Sequence, residues 1–82
     1  MLQLEKLKNA DKVVGTRRLL RAIASGEIRE AYLALDADLF IARQVTDACR
    51  KASVPVIEVD TMKNLGAACG IDVKAAAAGI RK

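Results

Sequence analysis

Along the chain the spacing of apolar positions switches several times between the period of a helix and that of a strand. From Gly15 to Gly26 (GTRRLLRAIASG), at about 100° per residue, Leu19, Leu20, Ala22, Ile23 and Ala24 share one broad arc. Arg17, Arg18 and Arg21 share the opposite one. The pattern predicts a short helix entered through Gly15-Thr16, with Thr16 the favoured cap, and stopped by Gly26, one residue beyond Ser25. Upstream, Leu4 and Leu7 fall on one face of residues 2–9 (LQLEKLKN), which predicts a helix covering one side of the core. Lys12–Val14 reads as a very short edge strand.

Downstream, residues 27–30 read as a polar connector, and residues 31–35 (AYLAL) as a strand buried on both faces. Asp36, Ala37 and Asp38 end that strand, and either aspartate can cap the helix that follows. That helix runs over Leu39–Ala52 with a predicted buried stripe of Ile41, Ala42, Val45, Ala48, Cys49 and Ala52. Arg43, Asp47, Arg50 and Lys51 lie opposite, and Phe40, nearer the polar arc, reads as a partly covered packing residue. Ser53, Val54 and Pro55 break the helix, and the β-branched Val56–Val59 predicts a strand. Asp60 or Thr61 then caps a helix over Met62–Cys69 that Gly70 ends. Ile71, Asp72, Val73 and Lys74 form a loop. Residues 75–78, all alanine, are ambiguous: propensity prefers a helix, while the alternation upstream fits a strand.

Helices and strands that alternate with short connections imply a compact α/β/α sandwich, with helices flanking a sheet of three or four strands. Eighty-two residues suffice for one domain and one core. No apolar run approaches the roughly 20 residues of a membrane span, and MLQLEKLKN lacks the apolar centre of a signal peptide. A soluble cytoplasmic protein is the expectation.

Chemistry narrows the choice further. The absence of histidine removes the commonest general base and metal ligand. Cys49 and Cys69 have no metal-type spacing and read as buried thiols. Asp36 and Asp38 invite a paired-carboxylate or Mg²⁺ reading, but capping explains them more simply. Gly66 and Gly70 build no phosphate loop; they read as a close-packing position and a helix cap. A net charge of +4 favours acidic partners, nucleic acid first and an anionic membrane second. With only Tyr32 and Phe40 aromatic, single-strand readers built on stacking platforms are disfavoured.

The arginine helix stands out against this background. Basic residues in a first turn sit at the positive end of the macrodipole, where each is unfavourable by roughly 0.3–1 kcal/mol. A phosphate or the acceptor edge of a guanine would supply what is missing. Arginines on a helix face are ordinarily just solvated. Here they follow a glycine, at which another backbone can approach closely.

GTRRLLRAI, the junction AYLALDAD and the segment TMKNLGAACGIDVKAAAAGI resemble the kink-turn-binding ribosomal protein superfamily, and its short bacterial members most closely. The likeness covers nearly the whole chain, and its most specific parts are Leu65 to Ile71 and the Gly-Thr-basic helix start. It implies a three-layer α/β/α sandwich with a small four-stranded mixed sheet, in which residues 75–80 form a strand. It also implies binding to kink-turns, RNA duplexes sharply bent at a bulge followed by tandem G·A pairs. In that family the start of the second helix enters the widened major groove, here with Gly15, Thr16, Arg17, Arg18 and Arg21. The loop of Ile71, Asp72, Val73 and Lys74 would cover a base flipped out of the bulge, with Asp38 close by.

Archaeal and eukaryotic members carry Asn-Glu where this chain has Arg17-Arg18, and bacterial ones often Lys-Gln. The arginine pair lacks the glutamate acceptor for base amino groups, so it trades sequence choice for phosphate affinity. The resemblance thus implies a single non-enzymatic RNA-binding domain without a cofactor, monomeric when free. Its partner would be structured RNA, in the ribosome or in an mRNA or riboswitch element. A protein–protein interaction module of the same fold, docking through the helix face or Phe40, is the alternative.

Overall fold

The computed structural model describes residues 7–82, and its strands order as β1-β4-β2-β3 in one sheet. They are β1 (Lys12–Val14), β2 (Ile28–Ala34), β3 (Val56–Val59) and β4 (Ala77–Arg81). The helices between them are α1 (Thr16–Ala24), α2 (Leu39–Ala52) and α3 (Met62–Cys69). Residues 7–9 are helical as well, while Leu2 and Leu4 of the expected first helix lie outside the described residues. β2 pairs in parallel with β3 and antiparallel with β4, which pairs antiparallel with β1. The result is the expected α/β/α sandwich with a four-stranded mixed sheet.

The central strand β2 shows why the sheet is covered twice. Its side chains alternate with period two, so neighbours enter different cores. Ala31 and Leu33 join Leu19, Ile23, Val45 and Cys49 under α1 and α2. Tyr32 and Ala34 join Leu7, Leu65 and Cys69 on the other side, with α3. Tyr32 is fully buried and its hydroxyl donates to the Glu30 carboxylate at 2.7 Å. Burial, then that hydrogen bond, push its ionisation well above the usual tyrosine range. Both cysteine thiols are buried as expected, and burial raises them too.

Small residues in β4 let α1 lie close to the sheet. A Cβ on Gly79 would stand 2.6 Å from the Leu19 side chain, so glycine is what admits that leucine. The alanines before it form a strand because the cores on both faces, rather than helix propensity, decide their conformation. β4 starts at Ala77, later than the expected residue 75. Ala75 and Ala76 instead bond to Met62 and Ala34 across the end of the sheet.

Several other expectations shift. The connector over residues 27–30 is already strand from Ile28, which is buried, with a register irregularity between Ile28 and Glu30. A bulge lets one apolar residue enter the core amid polar neighbours, which a strict alternation rule misses. Leu35 leaves the strand and is exposed, as is Phe40 at 70%. Ala24 and Ala52 are also exposed, because the groove between α1 and α2 stays open at their C-terminal ends.

Candidate nucleic-acid interface

Every helix here begins at an end that must satisfy free backbone N–H groups. α2 does so with Asp38, whose carboxylate accepts from the Phe40 N–H at 2.8 Å. α3 uses Thr61, whose hydroxyl accepts from the Asn64 N–H at 3.0 Å, and Asp36, which accepts from the Met62 N–H at 2.7 Å. The two aspartates therefore serve two different helices. α1 differs. Its cap is Gly15, which has no side chain to offer, and Thr16 is the first helical residue rather than the expected cap. The reason is the sharp turn out of β1: Gly15 adopts φ +108°, a conformation that favours glycine over threonine.

That turn also fixes where α1 begins. The Gly15 N–H donates to the Ala77 carbonyl at 3.0 Å, which sets the helix start above the start of β4. At the same end of the sheet, Ala34 N–H donates to Ala76 at 2.9 Å and Leu35 N–H to Val59 at 2.7 Å. Met62 completes the edge: its N–H is held by Asp36, and its carbonyl accepts from the Ala75 N–H at 3.0 Å. Through these bonds the start of α1, the loop around Asp38 and the loop of Ile71, Asp72, Val73 and Lys74 are gathered at one end of the molecule.

Within that end the roles divide. Arg17 and Arg18 occupy the second and third positions of α1, with Arg21 one turn later, and all three are exposed. α1 has no acidic residue in its first turn. Among the described residues, the ion pairs involve Arg29, Arg50 and Arg81 and none of these three. The Arg17 and Arg18 guanidinium groups therefore meet solvent at the positive end of a helix dipole, whereas Arg21 lies in the last turn and does not share that end.

The loop after α3 is held at a fixed height. A Cβ on Gly66 would stand 2.1 Å from the Val73 carbonyl oxygen, so only glycine lets the loop lie across the helix. Ile71 is half-buried against the core, while Asp72 and Lys74 are exposed and Val73 is 68% exposed. Asp38 remains on the surface with one oxygen engaged in capping.

Residues that sequence reasoning placed elsewhere also belong to this end. Leu35, Leu39 and Phe40 are exposed and flank the Asp38 cap, in the same part of the fold as Val73. For Phe40 the signal was its place on the polar arc of α2. Leu35 carried none, since the run AYLAL does not reveal that the strand stops before its last residue.

Comparison with known proteins places the chain among characterised folds. The model of the ribosomal protein L7Ae/L30e/S12e/Gadd45 family matches residues 2–82. The chain is 51% identical over 77 residues to "RNA-binding protein YbxF" of Geobacillus stearothermophilus, covering 93% of this chain and 94% of that protein. Among solved structures it resembles a Giardia lamblia 15.5kD RNA binding protein with a TM-score of 0.89 at 27% identity, over 98% of this chain and 71% of that one. A protein of unknown function from Bacillus halodurans C shares the fold, with a TM-score of 0.88 at 23% identity over 96% and 83% of the two chains.

Proposed function

The chain belongs to the ribosomal protein L7Ae/L30e/S12e/Gadd45 family, and on that premise we propose that it is a non-enzymatic RNA-binding protein that recognises kink-turns. The observation that carries this reading is the start of α1. Three exposed guanidinium groups have no carboxylate partner among the described residues, and two of them, Arg17 and Arg18, stand where a helix dipole already favours an anion. The RNA-binding relatives support the same partner.

The chemistry follows from what each partner offers. Guanine O6 and N7 are acceptors, and arginine is their usual donor, at about 1–3 kcal/mol per good bidentate pair. Arg17, Arg18 and Arg21 would donate to the guanines of the tandem G·A pairs and to nearby phosphates. Gly15 and Thr16 would bring the helix backbone close to the RNA. An A-form major groove is ordinarily too narrow for a helix, so a bent, bulged RNA is the substrate that admits α1. Val73, with Ile71 behind it, would cover the base extruded from the bulge, bordered by Asp38, Asp72 and Lys74. In this reading the protein acts in the cytoplasm on ribosomal or regulatory RNA.

A gel-shift comparison tests the proposal. A kink-turn duplex should bind at least about tenfold more tightly than the same duplex with its G·A pairs replaced by Watson–Crick pairs. Equal affinities would overturn it. A second reading, a protein docking on the start of α2, is favoured by the exposure of Leu39 and Phe40. Retention of kink-turn binding in a Leu39→Ser, Phe40→Ser variant that loses a protein partner would separate the two roles.

A further inference from the structure

The flank of α1 away from its start holds a second cationic feature. A cavity of about 320 Å³ runs between α1 and the sheet, lined by Val13, Arg18, Arg21, Ala22, Glu27 and Arg81. Its buried floor is apolar and its rim carries three guanidinium groups. Topology explains the gathering. α1 and β4 both run away from the Gly15–Ala77 bond, and the turn after α1 brings Glu27 back beside the end of β4. There Lys82 N–H donates to the Glu27 carbonyl at 2.8 Å and Arg81 N–H to the Asp11 carbonyl at 2.9 Å.

The three arginines are not equivalent. Arg81 is held in place by two carboxylates: its Nη1 bonds Glu27, and its Nε lies 3.5 Å from Asp11. Arg18 and Arg21 have no such partner among the described residues. An oriented guanidinium retains donors for a further acceptor and loses less entropy on meeting it. Arg18 and Arg21 are three residues apart, roughly 4.5 Å along the helix axis. Three guanidinium groups spread along one groove from the third residue of α1 to the last of β4 suit a run of strand phosphates rather than one small anion.

We infer that Arg18, Arg21 and Arg81 form a phosphate-tracking groove that takes the sugar–phosphate backbone of a duplex arm leading away from the kink. The inference rests on the preceding reading of α1 as an RNA-binding helix and extends its contact to the far end of β4. Glu27 has two opposed effects in this groove. It orients Arg81, and its negative charge opposes the incoming phosphate. Replacing it by glutamine keeps an oxygen acceptor for Arg81 and removes the charge.

Anisotropy titrations of the full chain and its Arg81→Gln and Glu27→Gln variants test this, using a kink-turn RNA with two long arms and versions with either arm trimmed. With long arms, Arg81→Gln should bind about three- to tenfold more weakly at low salt, with the salt slope reduced by about one. Glu27→Gln should bind at least about twofold more tightly, the opposite sign, because a like charge has left the phosphate path. Both effects should vanish when one particular arm is trimmed, which also controls for folding. Arg81→Gln behaving as the parent on every RNA, weakening all of them equally, or failing to be opposed by Glu27→Gln would overturn the inference. If the parent itself does not distinguish a kink-turn from its G·A-less duplex, the underlying reading fails instead.

Discussion

α3 and α1 begin in opposite ways although the same rules govern both. At α3, Thr61 caps the Asn64 N–H, Asp36 reaches from another loop to the Met62 N–H, and Asp60 holds the Asn64 side chain. Two carboxylates thus stand at the positive end of that helix, and its needs are met within the chain. α1 is capped by a glycine that offers no side-chain hydrogen bond, and it carries arginines in its second and third positions. What α3 finds inside the molecule, α1 must find outside it. Uncompensated local rules of this kind concentrate where a protein meets its partner.

The compensated side can be stressed first, and most severely, through Gly66. An alanine there puts its Cβ into the Val73 carbonyl, so Gly66→Ala should lower stability by about 1–3 kcal/mol or more, read from the urea midpoint. Next come the caps themselves. Thr61→Ala and Asp38→Ala should each cost about 1 kcal/mol in thermal or urea unfolding. Thr16→Ala, at a helix start whose cap is Gly15, should change stability by under about 0.5 kcal/mol. Equal losses at Thr16 and Thr61 would erase the contrast between the two helix starts.

A smaller effect carries the opposite sign. Neutralising an arginine in the first turn of α1, as in Arg18→Gln, should raise stability by roughly 0.3–1 kcal/mol at low salt. Added salt should shrink that gain, since the charge is exposed. Smallest of all is Asp47→Ala on α2. Its pair with Arg50 spans 3.9 Å between side chains 54% and 77% exposed, so the unfolding midpoint should stay within about 0.5 kcal/mol of the parent.

Much of the fold was legible because local signals and tertiary packing agree. Leu39–Ala52, Val56–Val59 and Met62–Cys69 form over the expected residues, each bounded by a cap, a break or a glycine. Legibility failed where a three-dimensional neighbour decides. β4 needed the cores on both faces to override alanine's helix propensity, and Ile28 entered the core through a bulge. Gly15 displaced Thr16 as cap because the direction of the preceding strand demanded a positive φ. The candidate interface followed the same division. The charge pattern of α1 could be read from spacing alone. The placing of the start of α1, Asp38 and Val73 at one end of the sheet depends on bonds between distant residues, such as Met62 to both Asp36 and Ala75. Arg81 lies 60 positions after Arg21, and no local pattern links them.

The most direct measurement is the affinity of Arg17→Glu for a kink-turn duplex, set beside Arg50→Glu. Each removes one positive charge and adds a negative one, but only Arg17 stands in the first turn of α1. Arg17→Glu should bind at least about tenfold more weakly than Arg50→Glu while unfolding at an equal or higher midpoint than the parent. Equal affinities in the two variants would mean that net charge, rather than the start of α1, holds the RNA.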